Sequence, residues 1–178
     1  QIDKEITYIK ALGQYFLGNT TEAMELLEQL TEENEKYEEA YCLLAKLQEM
    51  SGETQKAVNT YKKMIEQDDK NYDIHFGLYE LYHRTGQEEL ANGILDKLVV
   101  IPSQKAGNML VIGKAYYYKG DMERARQYVQ MATSGNCKEG EYYLGVLDKT
   151  ECNYKGAVEH FSKYEQKDGT NEEVYNQL

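Results

Sequence analysis

Residues 41–61, YCLLAKLQEMSGETQKAVNTY, decide the fold. Tyr41, Leu44 and Ala45 step along one helical face, Gly52 interrupts, and Ala57, Tyr61 and then Met64 resume the same stepping on a second helix. A glycine at the break suits a helix end in the left-handed conformation, where a Cβ would be strained. The pattern recurs along the chain. Gly18, Gly52, Gly86 and Gly120 lie 34 residues apart, and each is followed five positions later by an alanine: Ala23, Ala57, Ala91 and Ala125. A fixed period of this size marks stacked supersecondary units, and helical patterning inside each unit predicts an all-α solenoid of paired helices.

With each glycine as the turn between two helices, the units run over 4–37, 38–71, 72–105, 106–139 and about 138–171, in a single domain spanning 1–178. The first helices carry Leu78, Tyr79 and Tyr82 in the third unit, Ile112, Gly113 and Tyr116 in the fourth, and Leu144 with Gly145 in the fifth. The second helices carry Ala91, Leu95 and Leu98, then Ala125, Val129 and Ala132, then Ala157, Phe161 and Tyr164. Small residues at a helix crossing let the backbones approach to about 8 Å. Asn19 and Asp121 follow their glycines as expected N-caps. The fifth unit is irregular: Ala157 lies 32 residues after Ala125 and Cys152 stands where glycine is expected. This reads as a two-residue deletion in the link around Ser134 to Lys138. A sixth helix pair is expected to begin within 172–178, and the ends, Gln1 and Leu178, read as those of a fragment of a longer protein.

Composition narrows the function classes. Thirty-one acidic side chains against 20 basic ones leave a net charge of −11, which repels a nucleic-acid backbone or an anionic membrane surface. No stretch approaches the roughly 18 to 20 apolar residues of a membrane span. Cys42, Cys137 and Cys152 are odd in number and lack CxxC spacing, so neither a disulfide framework nor a zinc site is signalled. The compartment stays open, cytoplasmic or exported and tethered through a missing N-terminal segment. His75, His83 and His160 are too scattered for a ligand set, and Glu80 with His83 is ordinary helix surface. No phosphate-binding loop or nucleophile elbow is present. The pairs Glu32, Glu33 and Glu38, Glu39 read as solvated faces and helix starts. The expectation is a non-enzyme without cofactor or metal.

The order of a large apolar residue, Leu, a small residue and Tyr, then Gly, Ala, an aromatic and a small residue over 34 positions resembles the tetratricopeptide repeat. The second unit (Tyr41, Leu44, Ala45, Gly52, Ala57, Tyr61) and the fourth (Ile112, Gly113, Tyr116, Gly120, Ala125, Ala132) carry the resemblance best, and five copies cover nearly the whole chain. Departures are the missing closing proline, with only Pro102 nearby, Tyr79 where a small residue is usual, and Lys10 where leucine is usual.

The resemblance implies a right-handed superhelix whose concave groove is lined by the first helix of each repeat and binds an extended or helical protein segment. Carried over by position, the groove residues are Tyr8, Leu12, Tyr15 and Phe16; Cys42, Lys46, Glu49 and Met50; Phe76, Glu80, His83 and Arg84; Leu110, Lys114, Tyr117 and Tyr118; and Tyr142, Val146 and Lys149. The column Tyr8, Cys42, Phe76, Leu110, Tyr142 is apolar throughout. It reads either as an exposed contact strip along the groove or as core packed against the neighbouring repeat. In the run Tyr116, Tyr117, Tyr118, successive side chains point about 100 degrees apart, so Tyr116 is assigned to the core and the other two to the groove. The family's carboxylate clamp is not expected, because Tyr8 and Leu12 replace its first pair.

Two functions follow. One is a non-catalytic module that binds a partner's peptide or helix in the groove, with basic residues flanking apolar anchors. The other is a structural scaffold, a homo-oligomer or larger assembly built through uncapped ends or the convex face. Phe76→Ala with Tyr117→Ala is the substitution pair that separates them.

Overall fold

The computed structural model describes residues 2–168, and the described residues form ten helices and no strand. The sixth pair expected within 172–178 lies outside them. The helices are α1 (Ile2–Phe16), α2 (Thr20–Glu33), α3 (Glu38–Met50), α4 (Thr54–Gln67), α5 (Tyr72–Arg84), α6 (Glu88–Leu98), α7 (Ala106–Lys119), α8 (Met122–Ser134), α9 (Glu139–Thr150) and α10 (Tyr154–Asp168). The described residues group into two compact units, one ending at Ala91 and the other beginning at Asn92, with the division inside α6.

Every helix pair is joined by the same reversal. Gly18, Gly52, Gly86 and Gly120 have φ of 85°, 80°, 74° and 82°, and the fifth turn places Cys152 there at φ 61°. The amide after each of these residues donates back to a carbonyl five residues earlier: Asn19 to Gln14, Glu53 to Gln48, Gln87 to Tyr82, Asp121 to Tyr116 and Asn153 to Asp148, all at 2.8–3.0 Å. This is the Schellman arrangement, which satisfies carbonyls that a helix end otherwise leaves open. Asp121 caps α8 as expected, its Oδ1 accepting from the Arg124 amide at 3.0 Å. Asn19 does not cap α2; its amide donates to Gln14 Oε1 at 2.8 Å instead. The link to the fifth pair is also unlike its sequence reading. At 135–138 it is as long as the links at 34–37 and 68–71, and the shortening falls in the helices, α9 having 12 residues where α3 and α5 have 13. The two helices meet closely there, with Thr133 filling the space above Gly140.

In the first unit, Ala11, Ala23, Leu27, Leu30, Ala40, Leu44 and Leu47 form a buried cluster from α1, α2 and α3. Ala45, Ala57, Tyr61 and Met64 continue the buried set through α3 and α4. Tyr79, anomalous by position, is buried all the same, and its ring stacks on His83 at 5.9 Å. In the second unit, Leu110, Ala125, Val129, Ala132, Leu144 and Leu147 join α7, α8 and α9. Gly113 and Gly145 mark two close crossings. A Cβ on Gly113 would lie 2.7 Å from Val129 Cγ2, and one on Gly145 would lie 2.7 Å from the Phe161 ring.

The second unit also holds a charged network within its helix packing. Buried Asp148 accepts from Arg126 at 2.8 Å, and Arg126 also reaches Glu151 at 2.5 Å. His160 places Nδ1 at 2.8 Å from buried Glu141 and Nε2 at 3.6 Å from Asp148, while Lys167 donates to Glu141 at 3.3 Å. Burial would raise the Glu141 carboxyl, but the bonds from His160 and Lys167 outweigh it and hold the group below its ordinary value.

This packing makes two substitutions informative. Gly113→Ala forces the Cβ into Val129 and costs about 1–3 kcal/mol, whereas Gly93→Ala, on an α6 position with nothing within 4 Å, gains about 0.5–1 kcal/mol; urea denaturation of the two variants shows the opposite signs. Because the Glu141 carboxyl is depressed in the folded chain, its contribution is present above its unfolded value and is lost as pH falls through the folded one. Glu141→Gln therefore lowers stability at neutral pH and flattens its fall as the pH drops below the ordinary carboxylate value; denaturation midpoints followed from neutral into acid pH test it.

Candidate functional site

The first helices of the first unit, α1, α3 and α5, bring part of the proposed groove set together. Tyr8, Cys42 and Lys46 line a shallow pocket of about 400 Å³ with Glu38, Glu39 and Leu43. Tyr8 is half-buried because its ring packs on Tyr37 at 5.5 Å, and Lys4 sits 4.9 Å over that second ring. The acidic rim arises locally: Glu38 and Glu39 precede Cys42 by four and three residues, so helical geometry sets all three on one side of α3. Both glutamates are exposed in the first turn of α3, as the sequence reading of a solvated helix start has it, and they rim the pocket as well. Their spacing from Cys42 was the available signal.

Other residues of the set go elsewhere. Phe76 is 5% exposed and Leu110 is 9% exposed, so the apolar column is not a continuous exposed strip; its third and fourth members are core. Phe76→Ala is accordingly a core cavity, costing about 3–5 kcal/mol, and does not report on a surface. Leu12 and Tyr15 are half-buried, and Phe16 and Met50 are exposed. Arg84 is held by charge-assisted bonds, Nε and Nη2 donating to the two Glu49 oxygens at 2.9 Å each, with Glu80 at 3.6 Å. His83 pairs with Glu88 at 2.8 Å. Glu49, Glu80 and Arg84 thus form a surface network that bridges α3 and α5.

In the second unit, Tyr118 is exposed and Tyr117 is half-buried, with the rings edge-on at 5.4 Å and the Tyr117 hydroxyl 3.5 Å from Thr150 Oγ1. Tyr116 is half-buried and not core; it stacks on Tyr128 at 5.7 Å under the Arg124 guanidinium, while Ala115 is fully buried beside it. Lys114 lies 5.1 Å over the Tyr143 ring. Tyr142 turns toward α10, with Phe161 and Tyr164 at 5.6 and 5.7 Å, and Lys149 and half-buried Val146 complete the α9 set.

Burial pushes the Cys42 thiol up, with Glu38 adding to it, and burial does the same to Cys137, aided by its bond to Glu139, so both are protonated and weakly nucleophilic at neutral pH. Burial likewise pushes the Tyr61 phenol up to about 12. Among the described residues, no group of three or more His, Cys, Asp or Glu could hold a metal, no buried side-chain polar atom lacks a partner, and no helix is long and apolar enough to cross a membrane.

Comparison with known proteins bears on the fold. Residues 39–71 match the tetratricopeptide repeat family model, nearly the span read from the sequence as the second unit. No curated protein matches the sequence. Among solved structures, the chain is similar to TTC0263, a thermophilic TPR protein of Thermus thermophilus, at 20% identity and TM-score 0.59, covering 92% of this chain and 90% of that one. It is similar to PilF of Pseudomonas aeruginosa at 17% identity and TM-score 0.56, covering 92% and 75%. It is also similar to MamA, residue 41 to the end, from Desulfovibrio magneticus RS-1, at 18% identity and TM-score 0.51, covering 92% and 93%. Residues 39–71 therefore match a tetratricopeptide repeat, and the chain has the α-solenoid fold of such repeats, its ten described helices consistent with about five of them.

Proposed function

We propose that this chain is a non-catalytic recognition module that holds a peptide segment of a partner protein against the first helices of its repeats. The tetratricopeptide-repeat fold is a general protein-interaction module, and its members bind proteins or peptides and are generally not catalysts. The observation that carries the finer reading is the pocket of Tyr8, Cys42 and Leu43 rimmed by Glu38, Glu39 and Lys46. An apolar floor takes an apolar anchor, and the two carboxylates favour a basic residue beside it. The acidic excess of the chain lies mainly in residues 1–91, which adds steering toward such a segment. Tyr118 and Lys149 supply exposed contacts of the same kind in the second unit.

A scaffold role is the second reading, and one observation favours it: Ile6, Ile9 and Phe16 on α1 and Leu17 just after it leave large apolar side chains exposed.

Selection of a random peptide library on the full chain tests the first reading. The expected consensus is an apolar residue flanked by Lys or Arg, bound with a dissociation constant that rises about tenfold or more in the Glu38→Lys, Glu39→Lys variant and weakens with salt. Selection of no consensus, or of one that the variant binds equally well, overturns the assignment of this pocket.

A further inference from the structure

A second groove of the first unit lies between α2 and α4, over α3, and encloses about 260 Å³. Gln48 of α3 and Thr60 of α4 stand in its wall, both buried, and the same pair of positions recurs in the later repeats. Thirty-four residues on it holds Tyr82 and Ile94, 68 residues on Tyr116 and Tyr128, and 100 residues on Asp148 and His160. Tyr82 and Ile94 are buried, the two tyrosines stack at 5.7 Å, and Asp148 meets His160 at 3.6 Å and Arg126 at 2.8 Å. Large side chains or paired charges occupy the position in those repeats. In the second repeat a neutral amide and a hydroxyl stand there, and the groove is beside them.

One polar atom of this groove is unmatched. Thr31 donates to the Glu28 carbonyl at 2.9 Å, and the Tyr41 hydroxyl donates to the Thr31 carbonyl at 3.0 Å. Thr60 shares its hydroxyl between the Lys56 carbonyl at 3.0 Å and Gln48 Oε1 at 2.7 Å. Gln48 is only 4% exposed, yet its Nε2 donates to no atom of the described residues. Because no buried side-chain polar atom among them lacks a partner, that nitrogen is not sealed in and opens onto the groove. A donor fixed this deep is a recognition point, and an oxygen entering the groove is the acceptor it lacks.

The two walls carry opposite charge. Glu28 and Glu32 come from α2, and Lys56 and Lys63 come from α4. Lys56 is bonded to Glu53 at 2.6 Å, while the side chains of Glu28, Glu32 and Lys63 make no ion pair among the described residues. With two charges of each sign, a ligand of one sign meets a repelling wall, whereas a molecule with an ammonium at one end and a carboxylate at the other meets its opposite on both. The volume falls below the range of about 300–1,000 Å³ that houses drug-sized ligands, so the occupant is a single small molecule.

We propose that this groove binds a free α-amino acid, its ammonium against Glu28 and Glu32, its carboxylate against Lys56 and Lys63, and a side-chain oxygen on Gln48 Nε2. Tyr41 and Leu44, both buried in the lining, receive the aliphatic part of that side chain. Serine, threonine, asparagine and glutamine carry the required uncharged oxygen. The site shares no lining residue with the pocket of Tyr8 and Cys42, so it is a second binding function and not a part of peptide recognition.

Isothermal titration calorimetry of the 178-residue chain with these four amino acids tests this, with their N-acetyl and carboxamide derivatives as controls that each lack one charge. The expected result is binding of at least one of the four with a dissociation constant of about 1 mM or lower, and of its two derivatives about tenfold more weakly or less. Lys63→Glu, at an exposed position that leaves the helical circular dichroism unchanged, weakens binding about tenfold or more. Gln48→Tyr with Thr60→Ile installs the pair that the third repeat carries, fills the groove and abolishes binding. Absence of heat from all four at about 10 mM overturns the proposal. So does binding that survives the filled groove or is indifferent to Lys63→Glu, which means a different site, or derivatives that bind as tightly as the free amino acid, which means that the charged walls are not read. The Glu38→Lys, Glu39→Lys variant binds the amino acid unchanged, so this result stands or falls apart from peptide binding.

Discussion

The structure depends on one reversal made inside every described helix pair: a helix ends in a single left-handed residue, and the next helix must cross it at contact distance. The turn satisfies this through positive φ at Gly18, Gly52, Gly86, Gly120 and Cys152, closed by the same backbone bond each time. The crossing satisfies it through small side chains, with Ala11, Ala45, Ala23 and Ala57 fully buried in the first unit and Gly113 and Gly145 under Val129 and Phe161 in the second. Chain direction and helix separation are then set locally, and the remaining side chains need only fill the gaps between pairs. Cys152 shows that the turn tolerates a side chain when the closing bond is kept.

Within that frame, equivalent positions exchange chemistry without exchanging partners. Adding 100 to a residue number in the second repeat reaches its equivalent in the fifth. Gln48 accepts from Thr60 at 2.7 Å, and Asp148 faces His160 at 3.6 Å. Gln67 donates to the Tyr41 hydroxyl at 3.2 Å, and Lys167 donates to Glu141 at 3.3 Å. A neutral hydrogen-bonded pair in one repeat has become an ionic pair in the other. Such exchange is open only to groups whose partners are supplied by the repeat, since a buried polar atom without one costs about 1–3 kcal/mol. The ionic version is sensitive to acid, because the carboxylates must stay charged to keep the bonds.

Legibility differed between the two kinds of surface. Core positions such as Ala57, Tyr61, Leu95 and Val129 were readable because helical spacing and the 34-residue period both point to them. The groove column was not. Phe76 and Leu110 occupy the same repeat position as Tyr8 and Tyr142, yet they are buried while Tyr142 is exposed, since burial there depends on the side chains that neighbouring helices present. Tyr116 failed for a related reason: Tyr128 and Arg124 offered its ring a half-exposed stacking site, and Ala115 took the buried place. The link to the fifth pair was misplaced because spacing counts residues between landmarks and is blind to whether a loop or a helix end has lost them.

By itself the sequence determined the helix pairs of the described residues and their turns, because each is a local event written in a few adjacent residues: a glycine free to take positive φ, an alanine narrow enough to be crossed, apolar side chains at helical steps. Tertiary structure decided which members of a repeated column are core and which are surface, where Glu38 and Glu39 meet Tyr8, and that Arg126, Glu141, Asp148, His160 and Lys167 form one network. Those outcomes depend on side chains many residues apart along the chain, whose distances are set by packing, and period alone carries no record of them.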